Sequence, residues 1–321
     1  MMEFIRGVLS APVKTLIYGP EGIGKSTLAA AFPEPVFIDA EGSTRALDVP
    51  RFPDASTWQQ IMSDVDYVIQ HPDCCRTLVI DTMDKAEMRC TEYVLKSNGK
   101  SGIEDFGFGK GYVYLQEEFQ KLLDKLDAVI ATGIHVVCVA HAYMRKFEQP
   151  DELGSYDRWE LKLSKKCAPI TKEWADMVLF CNYKTMVVNV DGQGELKGKN
   201  KVRGGKRVMY SCHHPCWDAK NRFGLPEEMP LSYEPIKDII KEDIAKPEKP
   251  VEKLLKLMQE DGISEFDLQN LAGSKNWGVG TTTPIEEYSE ALIAFLLSDW
   301  PKVKEKALEL KNSELEELPF N

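Results

Sequence analysis

Residues 19–27 read GPEGIGKST and satisfy G-x-x-x-x-G-K-[ST] at every fixed position. The glycines of such a string let backbone N–H groups close round phosphate oxygens. The lysine and the hydroxyl that follow reach the terminal phosphates and a Mg²⁺ ion. Gly19, Pro20, Glu21, Gly22, Ile23, Gly24, Lys25, Ser26 and Thr27 are therefore the expected nucleotide-binding residues, with Lys25 on the β/γ oxygens and Ser26 on the metal. ATP and Mg²⁺ are the implied cofactors. Beyond this loop, PVFID at 35–39 closes on Asp39, with Glu41 two residues later. A glutamate so placed is either the group that orients and deprotonates the water attacking the γ-phosphate or a solvated loop acid. TLVID at 77–81 closes on Asp81, an aspartate positioned to hold Mg²⁺, with Thr82 behind it. HVVCVA at 135–140 is closed by His141, a polar residue that would face the γ-phosphate.

These residues need elements to carry them. Apolar runs of strand length are expected at 13–18, 36–38, 77–81, 135–140, 175–181, 183–190 and 208–211; the first leads into the glycine loop, and the next three end on or next to Asp39, Asp81 and His141. Residues 26–32, 58–70 and 112–132 have helical spacing. Strands alternating with helices predict an α/β fold whose mainly parallel sheet presents its C-terminal edge to the ligand. Proline-rich spacing after 225 and the charged run KEDIAKPEKP mark a linker at 241–250. It divides a core at 1–240 from a small helical domain and tail at 251–321, where helices are expected at 251–259, 265–272 and 284–297. Thr283 and Pro284 are the expected start of the third helix, and NSELEELPFN the expected frayed end.

The 321-residue chain is 43% hydrophobic and 28% charged, an ordinary globular composition. Its net charge of −11 is uneven, since residues 225–321 hold 21 acids against 11 bases. The front domain is thus nearly balanced and free to carry basic surfaces, while the small helical domain is acidic. No apolar run approaches a membrane span and the first residues lack a secretory centre, so a cytoplasmic protein without membrane contact is expected. The eight scattered cysteines read as reduced core residues. Cys212, His213, His214 and Cys216 lie close together, but a structural zinc site needs a second separated pair, which does not follow.

Three stretches interleave cations with aromatic residues or glycine. Glycine-rich 98–111 carries Phe106, Phe108 and Lys110, which either stack on single-stranded nucleic acid or tuck into the core. Residues 142–169 read as a long polar loop with Arg145, Lys146, Arg158, Lys162 and Lys165 among aromatics, diluted by acids. The run at 197–207, with Lys199, Lys201 and Arg203 among six cations, is either a solvated hairpin tip or a phosphate contact. Lys220 and Arg222 in KNRFG could clamp a γ-phosphate in their own subunit or across an interface.

IYGPEGIGKSTL followed by FIDAEGSTRALD resembles the core of RecA recombinases, and KNRFG at 220–224 is similar to the signature of the RadA branch. Size, a single ATPase core and a small helical tail resemble phage-encoded RecA-like ATPases of single-strand annealing and recombination. The resemblance covers about residues 12–235. It implies a RecA-like P-loop NTPase core with a small C-terminal all-α module. It further implies an ATPase with Glu41 activating water, Asp81 as the Walker B acid and His141 in the place of a sensor glutamine. Lys220 and Arg222 would act on the ATP of a neighbouring subunit in a filament or ring, and 98–111 and 142–166 would contact single-stranded DNA. A single-strand-binding protein is a further implied partner, and a bacterial host cell the implied location. Rival readings are an ATP-dependent switch or scaffold acting on proteins, and a kinase or packaging motor on the same fold.

Overall fold

The computed structural model describes residues 6–7, 11–148, 154–189, 200–241 and 250–316, the side chains of 185–189, 200–204 and 313–316 excepted. The chain folds as two compact units, Met1–Ala245 and Lys246–Asn321. All of the expected linker except Lys241 and Pro250 lies outside the described residues.

The first unit is built on an eight-stranded sheet, β1 (Lys14–Gly19), β2 (Pro35–Asp39), β3 (Thr77–Asp81), β4 (His135–Glu148), β5 (Ser155–Leu161), β6 (Met177–Asn189), β7 (Asn200–Tyr210) and β8 (Glu228–Pro230). Its order is β2-β3-β4-β1-β6-β7-β8, with β5 paired to β4 alone. β2, β3, β4, β1 and β6 are mutually parallel, and β7 and β8 continue the sheet antiparallel. Each central strand is apolar on both faces, so alternate residues feed two cores. Leu16, Tyr18, Leu78, Ile80, Val136 and Cys138 pack on one face, and Ile17, Val79, Val137, Val139 and Leu179 on the other.

The first face is covered by α2 (Trp58–Gln70), α3 (Met83–Ser97), α4 (Lys110–Ala131) and α5 (Cys167–Trp174). In α4 the residues Leu115, Phe119, Leu122, Leu126 and Val129 recur at helical spacing and are all buried. The other face takes the short α1 (Lys25–Ala29) with Leu28 and Ala29, and the segment carrying Ile236 and Ile240.

Several expectations for this unit need correction. Much of the expected loop at 142–169 is strand: β4 runs on past the sheet to Glu148 and pairs antiparallel with β5, which leads into α5, while residues 149–153 lie outside the described residues. The two strands expected at 175–190 are the single strand β6, and strand pairing by β7 begins at Asn200 rather than 208. Helix α3 was not anticipated. In 98–111 the chain makes a 3-10 turn at Ile103–Phe106.

The second unit is all-α: α6 (Pro250–Asp261), α7 (Glu265–Ser274), α8 (Glu290–Ser298) and α9 (Trp300–Glu316) enclose Leu254, Leu268, Leu271, Ile285, Leu296 and Trp300. Ser264 and Asp267 form a reciprocal capping box at the start of α7. The helix expected at 284 begins instead at Glu290, capped by Ser289, because Ile285–Glu287 is a 3-10 turn. Thr283 is not its cap; its hydroxyl accepts from the N–H of Gly280. The expected frayed end is helical as far as Glu316. Among the described residues, no helix is long and apolar enough to cross a membrane.

Candidate functional site

Strand register brings the chemical residues to one edge. Gly19 pairs with His141, Asp39 with Asp81, and Asp81 with Val139, so the C-terminal ends of β1, β2, β3 and the parallel part of β4 finish side by side. A cavity of about 400 Å³ opens there, lined by Glu21, Gly22, Gly24, Lys25, Ser26, Thr27, Glu41, Ser43, Ala46, Leu47, Asp81, Thr82 and His141. Gly19, Pro20 and Ile23 complete the loop beneath it, Ile23 fully buried.

Two glycines are demanded by this geometry. A Cβ on Gly19 would sit 2.2 Å from the Cys181 carbonyl oxygen on β6. Gly24 has φ of +111°, which L side chains rarely adopt. Arg207 Nη1 donates to the Ile23 carbonyl at 3.4 Å and the Tyr183 hydroxyl to the Gly22 carbonyl at 3.5 Å, so β6 and β7 brace the loop from outside. Since α1 has only five residues, the loop N–H groups rather than a helix dipole must hold an anion here.

Lys25 is 5% exposed, and its ammonium donates to the carbonyls of Gly19 at 3.1 Å and Pro20 at 2.9 Å. Burial lowers its pKa, while Cys181, Asp81, Asp84 and Glu41 pull it back up. An ammonium has three donors, which leaves one for a phosphate oxygen. Asp81 is fully buried, and neither of its oxygens has a hydrogen-bond partner among the described residues. Burial pushes its carboxyl up to about 6, against the pull of the neighbouring Ser26 hydroxyl. A buried carboxylate without a partner, next to a serine hydroxyl, fits a divalent cation. Ser26 and Asp81 are the residues that would hold Mg²⁺, which would neutralise charge on the β- and γ-phosphate oxygens.

The two acids after β2 have separate tasks. Asp39 accepts from the N–H groups of Gly42, Ser43 and Thr44 and from the Thr44 hydroxyl, so it shapes the turn. Burial would raise its pKa, but those bonds outweigh it and hold the carboxyl low. Glu41 instead lines the cavity, its Oε2 3.9 Å from His141 Nε2. His141 is 7% exposed, and its backbone N–H and ring Nδ1 each lie 3.0 Å from an oxygen of Asp84. Asp84 escaped the sequence reading because α3 did. The signal was there in DTMD, which puts an acid in the first turn of a helix that starts directly after Asp81 and Thr82. Ser43, Ala46 and Leu47 were likewise not singled out.

Lys220 and Arg222 are not in this cavity. They lie at the other end of β6, where Lys220 pairs with Val178 and Asp176 with the start of β1. Lys220 Nζ donates to the carbonyls of Lys172, Glu173 and Ala175, closing the end of α5, and Arg222 pairs with Asp176 at 2.7 Å. Asn221 Oδ1 accepts from the N–H groups of Phe223 and Leu225, which sets the turn of the motif. A clamp on the phosphates of the same chain is thereby excluded.

The nucleic-acid candidates divide. Phe108 is fully exposed, and Lys110, Lys146, Lys162 and Lys165 are exposed without an ion pair among the described residues. Phe106 is half-buried against Tyr114, Arg145 pairs with Glu160 at 3.5 Å, and Arg158 is held by Asp218, the Pro215 carbonyl and the ring of Phe147. Asp218 binds Lys172 as well, at 2.7 Å. Lys199 lies outside the described residues, as do the side chains of Lys201 and Arg203. His214 stacks on Trp217, and His213 lies 3.5 Å from Asp218.

A family model described as an AAA domain matches residues 11–223. Among solved structures, the flagellar accessory protein FlaH from Methanocaldococcus jannaschii is similar at 11% identity, over 66% of this chain and 88% of that one, with a TM-score of 0.30. No curated protein matches.

Proposed function

The chain belongs to the AAA-domain family, and from that premise we propose that it is a P-loop ATPase that assembles with copies of itself on single-stranded DNA and hydrolyses ATP there. The observation that carries the ATPase reading is the convergence of Lys25, Ser26, Glu41, Asp81 and His141 on one cavity. Loop N–H groups and Lys25 bind the phosphates. Glu41 takes a proton from the attacking water, and His141 contacts the terminal phosphate. The exposed Phe108, Lys110, Lys146, Lys162 and Lys165 support contact with a single strand, since stacking faces and unpaired cations are what such a ligand needs. Annealing of complementary strands, alongside a single-strand-binding protein, is the activity that this reading implies.

The test is ATP turnover by the full chain with and without single-stranded DNA. Stimulation by DNA, abolished by Lys25→Ala, supports the reading; turnover indifferent to DNA refutes its DNA half. The second reading, an ATP-driven switch on protein partners, draws support from Phe266 and Phe295, 60% and 48% exposed on the helical unit. Salt separates the two. Contact with a DNA backbone loses roughly 0.7 log units of affinity per phosphate for each decade of salt, and an apolar protein contact does not.

A further inference from the structure

The two ring nitrogens of His141 have different surroundings. Nδ1 is 3.0 Å from Asp84 Oδ2, while Asp84 Oδ1 accepts the His141 backbone N–H at 3.0 Å. One carboxylate therefore grips both the strand backbone and the ring. Burial alone would raise the Asp84 pKa, but the bonds from the His141 ring and N–H, with the Thr82 hydroxyl, hold it below the usual carboxylate range. An ionised carboxylate only accepts, so the shared hydrogen sits on Nδ1. The other nitrogen, Nε2, lies 3.9 Å from Glu41 Oε2, and His141 lines the cavity with Lys25 and Asp81.

We propose that Asp84 is a positioning residue for ATP hydrolysis: by accepting Nδ1–H it holds the His141 ring with Nε2 beside Glu41, and a second hydrogen on Nε2, balanced in charge by the Asp84 and Glu41 carboxylates, donates to an oxygen of the terminal phosphate, so that the ring distinguishes triphosphate from diphosphate. This rests on the ATPase reading and adds a residue to it. Asp84 touches no nucleotide itself. Its effect is transmitted through the imidazole, as with the outer partners that orient ligating or catalytic histidines elsewhere.

A purely structural Asp84, tying α3 to β4, would give the same contacts, so the test must read the ring. Full-length protein with ¹⁵N-labelled histidine reports the tautomer of His141, assigned by its loss in His141→Gln. ADP and a slowly hydrolysed ATP analogue are titrated against wild type, Asp84→Ala, Asp84→Asn and His141→Gln. Nδ1 is expected to carry a hydrogen in wild type, with Nε2 also protonated once the ATP analogue is bound, and both features are expected to be lost in Asp84→Ala. ADP affinity should stay within about twofold, while preference for the triphosphate falls about tenfold in Asp84→Ala. Adding Asp84→Ala to His141→Gln should cost nothing more. Equal loss of both nucleotides, or an unchanged tautomer and preference, overturns the proposal. Should Asp84→Ala not fold, Asp84→Asn retains an acceptor of the same shape and must show the same loss of preference, in smaller degree. Wild-type protein that binds neither nucleotide would sink the ATPase reading itself, whereas binding with an unaltered preference sinks only the role of Asp84.

Discussion

Glu41 and Asp39 stand two residues apart at the end of β2, and hydrogen bonding alone assigns them different work. Asp39 is held by four donors of the turn that follows it, whereas Glu41 reaches into the cavity next to His141. If Glu41 activates water, removing its basicity should slow chemistry and leave binding intact. Glu41→Gln is expected to lower kcat by about 10²–10⁴-fold with nucleotide affinity little changed. Single-turnover hydrolysis set beside a binding titration checks this, and a kcat near wild type would return Glu41 to the status of a loop acid. At this scale the sequence was most legible where a residue's role follows from its neighbours in the chain. Lys25 and Ser26 belong to a contiguous motif, and Asp81 and His141 end buried runs. Asp84 and Asp218 were not legible, because their partners His141 and Arg158 lie 57 and 60 residues away.

Elements with a strong apolar period were legible as well. α2 and β3 have the expected limits, and α4 departs from its expected range by only a residue or two at either end. Helix α3 was not read, because its buried face consists of Met83, Ala86, Cys90 and Val94, small or soft residues that give a weak period. The hairpin of β4 and β5 was hidden for a different reason. Its strands, AYMRKFE and SYDRWEL, mix charged with aromatic and apolar residues without strict alternation, so they carry no clear strand period. Asp218 ties this hairpin to the body of the unit by pairing with Arg158 and Lys172, beside the hydrogen bond from the Trp159 N–H to the Cys216 carbonyl. Burial opposes the Asp218 charge, but Lys172, Arg158 and His213 outweigh it, so its folded pKa lies below its unfolded value of ~3.9. A lowered carboxylate pKa stabilises the fold above the unfolded value and loses that contribution as pH falls through the folded one. Thermal melts from pH 7 to 3 should therefore show a steeper decline below about pH 4 in wild type than in Asp218→Asn, which will be less stable at neutral pH. Identical pH profiles would mean that the cluster adds nothing. For α4 the dominant force is burial: Phe119 is fully enclosed and stacks with Trp58 at 6.2 Å. Phe119→Ala should cost about 3–5 kcal/mol in denaturant unfolding; a loss under about 1 kcal/mol would mean that the helix is not docked as described.

For the whole molecule the open matter is whether one chain makes a complete site. Every residue that lines the cavity comes from the C-terminal edge of the sheet, and KNRFG lies at the opposite edge. Any part that its cations take in hydrolysis must then be played in a neighbouring copy. The two are not equally free to do so. Lys220 has all three donors engaged by the carbonyls of Lys172, Glu173 and Ala175, and withdrawing it would take that donor from all three at the end of α5. Arg222 has a side chain 59% exposed and a single surface pair with Asp176, the kind of contact worth about 0–1 kcal/mol and easily exchanged for a phosphate. Lys220→Ala should therefore lower Tm whether or not nucleotide is present. Arg222→Ala should leave Tm almost unchanged and reduce turnover only under conditions in which the protein is assembled. Mixing separates action in trans from action within one chain. Lys25→Ala lacks a working loop but keeps its arginine, and Arg222→Ala keeps the loop, so a mixed oligomer holds some junctions with both parts intact. Activity of the mixture above the sum of its inactive components, rising with protein concentration, is the expected result. A mixture that stays at that sum while wild type is active and oligomeric would confine Arg222 to its pair with Asp176.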